Sequence, residues 1–505
     1  METLSRKYIE SGSVPADIKV GSMKQAPVKI MQFGEGNFLR AFVDWMINRI
    51  NSKGLFEGSV AVVQPLERGL ADMINAQDGL YTLYLRGVEN GEVKVEKEII
   101  TVIRECVNPY LQWEKTVRYA VGDELRFVIS NTTEAGIEFV EEPFVRGACQ
   151  KTYPAKLTSL LYERYKAFDG AEDKGIIMIP CELIDRNGDN LKKCVLKYAK
   201  YWELEDGFVK WIESACAFLN TLVDRIVPGY PRDEAEELEK SRGYKDSVAD
   251  TGEIFHFWVI EGDKKYSEEI PFHKAGLNVL WTDNMEPYRT RKVRILNGAH
   301  TMTVLAAYMC GLDTVGECMN DPDISKFMRD GIFDEIIPTF DLPENEKRDF
   351  ASAVLERFAN PFIKHMLLSI SLNSVSKYKV RVLPSVEEYI KRFSKLPQKT
   401  LFSLAALIRF YKGTVVEGGK LKGEVCGRNY DICDMPEVLE FFAEAYKEYA
   451  KDETAEALVK KVLSNEAFWG KDLTAYEGLA DAVVKYYVYM CENGARAAIK
   501  ALIGE

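Results

Sequence analysis

The residues KIMQFGEGNFLR, positions 29–40, predict a short apolar strand, a glycine turn and the start of a helix. Gly34 permits a tight turn, and Gly36 lets a phosphate group approach the backbone at the positive end of the helix. Leu39 stands where the dinucleotide-binding fingerprint has its third glycine. An ordinary glycine turn between a strand and a helix is therefore the alternative interpretation of this stretch.

The segments that follow extend the same pattern. In the first half of the chain, apolar runs of strand length alternate with amphipathic stretches, which is typical of a parallel sheet with helices on both faces. After about Pro287 the apolar spacing predicts helices almost exclusively. We therefore expect an α/β domain with a mostly parallel sheet over residues 1–284 and a mainly α-helical domain over residues 285–505. The predicted strands are 28–33, 59–63, 125–129 and 175–179, and the predicted C-terminal helices are 291–309, 323–337, 344–357, 400–411 and 436–451.

The end of the second predicted strand lacks the acidic residue that usually binds the adenosine ribose of a dinucleotide. Val63 is followed by Gln64 and Pro65, and the nearest acid is Glu67. The residues alone therefore do not choose between NAD and NADP.

A polar loop, SNTTEAG at positions 130–136, follows the next predicted strand directly. The carboxyl ends of parallel strands are where such sheets hold ligands, so this loop is a second candidate contact with a cofactor. A helix start capped by Thr132 or Thr133 is the alternative.

Composition and charge limit the classes of partner. The chain has 505 residues, of which 47% are hydrophobic, enough for a sizeable core. A net charge of -12 argues against nucleic acid as the main partner, although it permits a small anionic substrate. No apolar run approaches the ~18 residues of a membrane span, so we expect no membrane association. Residues 1–21 contain no apolar signal segment, and the ten cysteines form no C-x-x-C pair, which favours free thiols in the cytoplasm. The oligomeric state is left open.

Lys292, Asn297 and His300 lie in one predicted helix, within RKVRILNGAH at positions 291–300. At about 100° per residue, the three side chains share one side of that helix. An amine can exchange a proton with a hydroxyl group, while an amide and an imidazole can hold the oxygen and stabilise its negative charge. The combination suits the oxidation of an alcohol. The alternative is a solvated lysine, a helix-kinking Asn-Gly pair and a packed core histidine.

No zinc site competes for this role. His256 and His273 lie 17 residues apart, and the cysteines nearest the candidate helix show no ligand spacing. We therefore expect a protein base and no metal.

Seven segments spread over nearly the whole chain are specific enough to identify a family. They are QFGEGNFLRAFVDW (32–45), QDGLYT (77–82), SNTTEAG (130–136), IPCELID with NGD (179–189), TLVDRIV (221–227), LNGAHT (296–301) and NPFIKH (360–365). With them the sequence resembles the polyol-specific long-chain dehydrogenases, the mannitol dehydrogenase family. The resemblance implies an N-terminal Rossmann-type domain, a helical C-terminal domain, and metal-independent hydride transfer between NAD and a secondary alcohol of a small-molecule sugar acid.

The resemblance also implies roles for individual residues. The family's catalytic lysine corresponds to Lys292, its partner asparagine to Asn297 and its substrate histidine to His300. A second asparagine that helps to hold the reacting oxygen corresponds to Asn187. The residues assigned to the cofactor are Phe33, Gly34, Gly36, Asn37, Phe38, Asn131, Thr132 and Glu134.

For the substrate, the resemblance points to Lys377, and we add Arg381 and His365. Members that oxidise mannitol have an arginine eight residues before that lysine, where this chain has Ser369, so the polyol-end contacts differ here. We expect at least one of Lys377, Lys379 and Arg381 to pair with a carboxylate. A solvated basic run is the alternative for these three residues. For the whole chain, the alternatives are a related enzyme for an epimeric sugar acid or a neutral polyol, and a nucleotide-binding sensor without turnover.

Overall fold

In the computed structural model, which describes residues 1–451 and 454–504, the first strand of the predicted parallel sheet spans Val28–Phe33. Sixteen strands are present in the described residues. They are β1 (Lys19–Val20), β2 (Val28–Phe33), β3 (Ser59–Val63), β4 (Tyr81–Glu89), β5 (Glu92–Ile100), β6 (Ile103–Val107), β7 (Phe127–Ser130), β8 (Ile177–Pro180), β9 (Ala217–Phe218), β10 (Asn220–Asp224), β11 (Asp250–Glu253), β12 (Phe257–Glu261), β13 (Val279–Thr282), β14 (Val416–Glu417), β15 (Lys420–Val425) and β16 (Arg428–Ile432).

The α-helices are α1 (Arg6–Glu10), α2 (Asn37–Leu39), α3 (Trp45–Ser52), α4 (Ala71–Asn75), α5 (Trp113–Ala120), α6 (Tyr153–Ala167), α7 (Asn187–Tyr201), α8 (Asp206–Ser214), α9 (Ala235–Arg242), α10 (Tyr266–Glu269), α11 (Glu286–Arg291), α12 (Gly298–Met309), α13 (Val315–Asn320), α14 (Pro322–Asp330), α15 (Glu344–Phe358), α16 (Leu367–Ile370), α17 (Ser374–Arg381), α18 (Leu383–Phe393), α19 (Gln398–Phe410), α20 (Pro436–Tyr449), α21 (Ala455–Leu463), α22 (Glu466–Trp469) and α23 (Leu479–Ile503). Three π-helical segments, Arg40–Asp44, Lys292–Asn297 and Gly331–Ile336, continue neighbouring helices. Short 3₁₀ turns occur at Glu172–Lys174, Arg232–Glu234, Phe272–Ala275, Ile337–Thr339 and Leu473–Ala475.

The central sheet has six strands in the order β6-β3-β2-β7-β8-β9, and every neighbouring pair is parallel. Counted along the chain within this sheet, the order is 3-2-1-4-5-6, that of a doubly wound dinucleotide-binding sheet. The strand order reverses between β2 and β7. Ligands bind at the carboxyl ends of the strands beside such a reversal.

Alternate side chains of this sheet enter two different cores. Ile30, Val62 and Ile129 belong to one hydrophobic cluster, whereas Met31 and Val128 belong to the other. A sheet buried on both faces explains why its strands are apolar throughout rather than alternating with polar residues. The predicted α/β class is confirmed, with strands 28–33 and 59–63 at their expected bounds.

Contacts divide the chain into two units, residues 1–87 with 92–285, and residues 88–91 with 286–505. The first unit also holds the sheets β1-β5-β4-β11 and β10-β12-β13. The second is mainly helical, as expected, but it includes the antiparallel meander β14-β15-β16, which the sequence analysis did not predict. No helix among the described residues has the length and apolarity needed to cross a membrane.

Candidate active site

The glycine turn after β2 is shaped to accept a group on its outer side. Gly34 has a φ of +118°, and a Cβ there would lie 2.8 Å from the carbonyl oxygen of Asn131. Gly36 is the N-cap of α2 in an extended conformation, and no atom lies within 4 Å of the position its Cβ would take. Gly34 therefore serves the fold, while Gly36 leaves open space at a helix N-terminus. That open space fits the pyrophosphate of a dinucleotide.

A cavity of about 480 Å³ lies where β2 and β7 end, at the reversal of strand order. Four of the residues predicted to bind the cofactor line it: Gly34, Gly36, Asn131 and Thr132. The first turn of α6 lines it too, through Thr152 and Tyr153. The cavity thus gathers segments that lie more than a hundred residues apart in sequence.

The other predicted cofactor residues do not line this cavity. Phe33 is fully buried and packs on Tyr153, with ring centroids 4.9 Å apart. Phe38 stacks on Phe42 at 5.0 Å. The Oδ1 atom of Asn37 accepts a hydrogen bond from Arg40 at 2.6 Å. Glu134 is exposed outside the lining. These four therefore shape the surroundings of the turn rather than its open face.

The loop after β7 is held by one buried carboxylate. Glu182 accepts hydrogen bonds from the backbone N–H and the hydroxyl of Thr132, both at 3.0 Å, and from the hydroxyl of Ser130 at 3.1 Å. Asn131 donates to the carbonyl of Cys181 at 2.9 Å. No helix begins at Thr132 or Thr133, so the alternative of a capped helix start is wrong. Glu182 and the carbonyl of Cys181 hold one side of the loop, and the other side lines the cavity.

The helical run over residues 286–309 is not a regular α-helix. Lys292–Asn297 is π-helical, with α11 before it and α12 after it. In a π-turn the backbone hydrogen bond joins residues i and i+5, so Lys292 and Asn297 lie one turn apart on the same side. Both are partly exposed, whereas His300 is buried. The predicted helix is confirmed, but its geometry brings the lysine and the asparagine closer together than α-helical spacing would.

His300 lacks the partners that a structural histidine has. Its Nε2 atom is buried with no hydrogen-bond partner among the described residues, and its ring stacks on Phe358 at 4.1 Å. His256 shows the contrast, because its Nδ1 atom lies 3.3 Å from the carbonyl of Ile254 and its Nε2 accepts from the N–H of Asn278 at 3.0 Å. A buried polar atom left without a partner is costly, which points to a ligand at His300.

Positive charge surrounds His300. The side chains that act on it are His365, in an edge-to-face contact at 5.1 Å, and Arg357, Arg381 and Lys377. Burial is the first cause that holds the pKa of His300 well below its ordinary value, and these neighbours are the next. Burial also lowers the pKa of His365. His300 is therefore neutral, in a setting that favours an anion.

Helix α17 presents two of these cations. Lys377 and Arg381 are four residues apart and share one side, with the Nζ atom of Lys377 donating to the carbonyl of Ile370 at 2.8 Å. Lys379 differs, because a Cβ at Gly470 would lie 3.4 Å from its Nζ atom. The basic run is therefore not uniform: Lys377 and Arg381 belong to the surroundings of His300, and Lys379 packs towards α22.

Gly298 allows α17 to approach the catalytic helix. A Cβ at this position would lie 3.2 Å from the carbonyl oxygen of Arg381. The Asn-Gly pair is thus a packing contact that holds Arg381 against the turn bearing Asn297. Ser369, at the position of the family arginine, is exposed.

The side chain of Asn187 is engaged by backbone groups. It is fully buried, and its Nδ2 donates towards the carbonyls of Pro180 (3.0 Å), Glu182 (3.1 Å) and Thr221 (3.3 Å). Its Oδ1 accepts from the N–H groups of Gly188 and Thr221. Every polar atom of the side chain already joins α7 to β8 and β10, and a contact of Asn187 with the reacting oxygen stays a prediction.

Two contributors were missed by the sequence analysis. Arg357, buried on α15, acts on His300 although it lies 57 residues further along the chain. Lys151, just before α6, lines the cavity of the first unit. Arg357 stands three residues before the NPFIKH segment, which was the one available signal. Lys151 stands directly before Thr152 and Pro154, a helix-start signal that was not used.

Solved structures match this fold along its whole length. A D-sorbitol dehydrogenase in substrate-free form has a TM-score of 0.80 at 22% identity, covering 98% of this chain and 100% of that one. Mannitol 2-dehydrogenase of Pseudomonas fluorescens, in a ternary complex with NAD and D-mannitol, has a TM-score of 0.70 at 22% identity, with full coverage of both chains.

Curated relatives are closer in sequence. Altronate oxidoreductase of Escherichia coli O6:K15:H31 is 45% identical over 95% of this chain and 97% of its own, and that of Yersinia enterocolitica is 44% identical over 94% and 97%. The mannitol dehydrogenase Rossmann domain matches residues 28–274, and the mannitol dehydrogenase C-terminal domain matches residues 284–491. Since these matches span most of both units, the chain belongs to the mannitol dehydrogenase family.

Proposed function

We propose that this chain is an NAD-dependent oxidoreductase that interconverts D-tagaturonate and D-altronate. The observation that carries the proposal is the buried, unpartnered Nε2 atom of His300 among the cations Arg357, Lys377 and Arg381. A sugar acid offers both a hydroxyl or carbonyl oxygen for the imidazole and a carboxylate for the cations. The similarity to altronate oxidoreductases supports the same substrate pair.

We assign the dinucleotide to residues 1–284 and the sugar acid to residues 285–505. Gly34 and Gly36 would hold the pyrophosphate against the start of α2, and Asn131 and Thr132 would contact the cofactor from the end of β7. When bound, NADH supplies the hydride that reduces the substrate carbonyl.

Lys292 is the proton donor in the reduction and the base in the reverse reaction. As the carbonyl carbon is reduced, its oxygen gains negative charge and takes a proton from the ammonium group of Lys292. The amide of Asn297 and the imidazole of neutral His300 donate hydrogen bonds to that oxygen and stabilise its charge. In this scheme Lys292 transfers the proton, and Asn297 and His300 stabilise the charge on the oxygen.

The carboxylate of the substrate pairs with Lys377 and Arg381, with His365 beside them. Burying a carboxylate without a partner is costly, whereas a pair with two cations on one side of α17 offsets that cost. A neutral polyol gains nothing from these charges. This favours a sugar acid over the polyol alternative.

The test is a substrate panel. Oxidation of NADH, followed by the absorbance of the reduced nicotinamide, is measured with tagaturonate, its epimer fructuronate and a neutral ketohexose, and then with NADPH. We expect the highest kcat/KM for tagaturonate with NADH. Preference for fructuronate or for the neutral ketose would overturn the substrate assignment, and binding of NADH without turnover on any of the three would support a sensor.

A further inference from the structure

The carboxyl end of β3 is where an adenosine ribose is expected, yet no acidic residue follows the strand directly. Val63 leads into Gln64 and Pro65. The amide of Gln64 is already engaged, since its Nε2 donates to the carbonyl of Leu66 at 2.7 Å and its Oε1 accepts from the N–H of Ala71 at 3.2 Å. The residue at the usual position therefore holds its own loop together.

A carboxylate reaches the same place from the glycine turn. Glu35, between Gly34 and Gly36, extends over the loop after β3, where its Oε1 accepts from the N–H of Leu70 at 3.3 Å. A Cβ at Gly69 would lie 2.2 Å from that oxygen, so the loop makes room for the carboxylate. Its position is thus fixed by the backbone of the segment that normally supplies the ribose acid.

Glu35 also faces the cofactor cavity. It lines that cavity together with Pro65 and Leu66, the residues at the end of β3. It is only partly exposed, and burial raises its pKa, with backbone N–H groups and the charge of Arg40 opposing the rise. A carboxylate has two oxygens and about four acceptor positions, of which the N–H groups of Leu70 and of Glu35 itself take two. The rest can accept hydroxyl groups.

The charged residues of the loop itself are placed differently. Glu67, the nearest acid in sequence, is exposed and is not part of the cavity lining. Arg68 is exposed as well, and an arginine near this point is what NADP-binding enzymes use for the 2′-phosphate. The two acids therefore make a direct comparison: Glu35 in the cavity, Glu67 outside it.

We propose that Glu35 binds the 2′- and 3′-hydroxyls of the adenosine ribose and thereby selects NAD over NADP, replacing the acid missing after β3. The inference rests on the proposed use of a nicotinamide dinucleotide. A vicinal diol donates two hydrogen bonds to one carboxylate. A 2′-phosphate removes one donor and brings about two negative charges against it, which opposes binding.

The test measures binding alone. NADH and NADPH are titrated by fluorescence, without sugar, against wild type, Glu35→Gln and the matched control Glu67→Gln. Glutamine keeps an acceptor for the Leu70 N–H, so the loop should keep its shape, and a thermal melt checks this. We expect Glu35→Gln to raise the Kd for NADH roughly 10- to 100-fold and to leave or lower that for NADPH, with no change in Glu67→Gln.

A third ligand separates contact from structure. With an NADH analogue that lacks the adenosine 2′-hydroxyl, Glu35→Gln should raise the Kd much less than it does with NADH. An unchanged ratio of the two Kd values in Glu35→Gln, or a change confined to Glu67→Gln, would overturn the inference while leaving the proposed reaction intact. If wild type bound neither nucleotide, both the inference and the proposed function would be overturned.

Discussion

The candidate sites of the two units are made of different parts of the chain. In the first unit, the cavity is lined by backbone at Gly34, Gly36 and the end of β7, and buried side chains such as Glu182 hold these loops in place. In the second, side chains of separate helices surround His300. A site made of backbone has a compact sequence motif, whereas a site made of side chains is dispersed along the chain. Similar folds can therefore keep the first half while the second half changes with the substrate.

The buried charges differ as well. Beneath the glycine turn, burial raises the pKa of Asp44 and of Asp250 to about 7, although Arg40 opposes the rise in both. Around His300 the charges are positive, and the histidine is held neutral. Asp44 and Asp250 thus resist losing a proton, whereas His300 resists gaining one.

We expect the largest effect from a substitution that removes the proposed proton donor, Lys292. Lys292→Ala should lower turnover by ~10²–10⁴, because no other group of the proposed set can deliver the proton. Binding of NADH should be nearly unchanged, since the cofactor residues lie in the first unit. The control is Lys391→Ala, an exposed lysine on α18 of the same unit, which should leave turnover as it is. Turnover close to wild type in Lys292→Ala would remove this residue from the mechanism.

The next effect concerns the charge of the substrate. Lys377→Met or Arg381→Met should lower kcat/KM for tagaturonate roughly 10- to 150-fold, since each removes a charge-assisted contact. For a neutral ketohexose, whose kcat/KM is already low in wild type, the variants should lower kcat/KM little further. Lys379→Met is the matched control on the same helix, because that side chain packs towards Gly470. Equal fractional losses on both substrates would mean that the cations hold a hydroxyl or the fold instead.

Two glycine variants distinguish an effect on NADH binding from an effect on stability. Gly36→Val should raise the Kd for NADH at least about tenfold with an unchanged melting temperature, since its side chain meets open space in the protein itself. Gly34→Ala should destabilise the first unit by about 1–3 kcal/mol, because of its positive φ and the Asn131 carbonyl. Both quantities come from melts and NADH titrations. Tight NADH binding by a folded Gly36→Val protein would place the pyrophosphate elsewhere.

The smallest effect tests the contrast in buried charge. Asp44 has a raised pKa, so its contribution to stability is complete below the ordinary carboxyl pKa and is lost as pH rises through about 7. His300 has a lowered pKa, so its contribution is complete above about 6.5 and is lost as pH falls. In melts from about pH 5 to about pH 8, Asp44→Asn should remove a fall in stability with rising pH below about 7, and His300→Gln should remove a rise in stability with rising pH below about 6.5, each by up to ~1 kcal/mol per pH unit. Profiles parallel to wild type in both variants would contradict these assignments.

Local patterns predicted the strands and the glycine turn of the first unit well. The strands β2 and β3 occur at their expected bounds, and Gly34, Gly36, Asn131 and Thr132 meet in one cavity. These signals are local, because a strand, a turn and a helix start are specified by neighbouring residues. The missing acid after β3 was visible in the sequence. The proposed replacement by Glu35 was not visible, since the direction of that side chain depends on the loop around Gly69.

The helical unit was less accessible to this reasoning. Lys292, Asn297 and His300 could be chosen because they share one helix, but Arg357 acts on His300 only through the packing of α15. The meander β14-β15-β16 was missed although the sequence carries its signals: β15 alternates exposed and buried positions over six residues, and Gly418-Gly419 joins it to β14. Asn187 was placed in the catalytic set by the family resemblance, and its Asn-Gly pair gives no sign of how its amide is bonded to the backbone.

The π-turn in the catalytic helix sets a limit on changes of length. Lys292–Asn297 joins α11 to α12 without a break, and each of its hydrogen bonds closes a loop one residue longer than in an α-helix. Deletion of a single residue there would let the helix return to α-helical register. Because the π-turn holds one residue more than an α-turn, the helices on either side would nearly keep their relative orientation after that deletion. The same deletion in α12, before His300, would instead turn His300 by about 100° away from the side that Lys292 occupies, so the loss of one residue is tolerated only inside the π-turn.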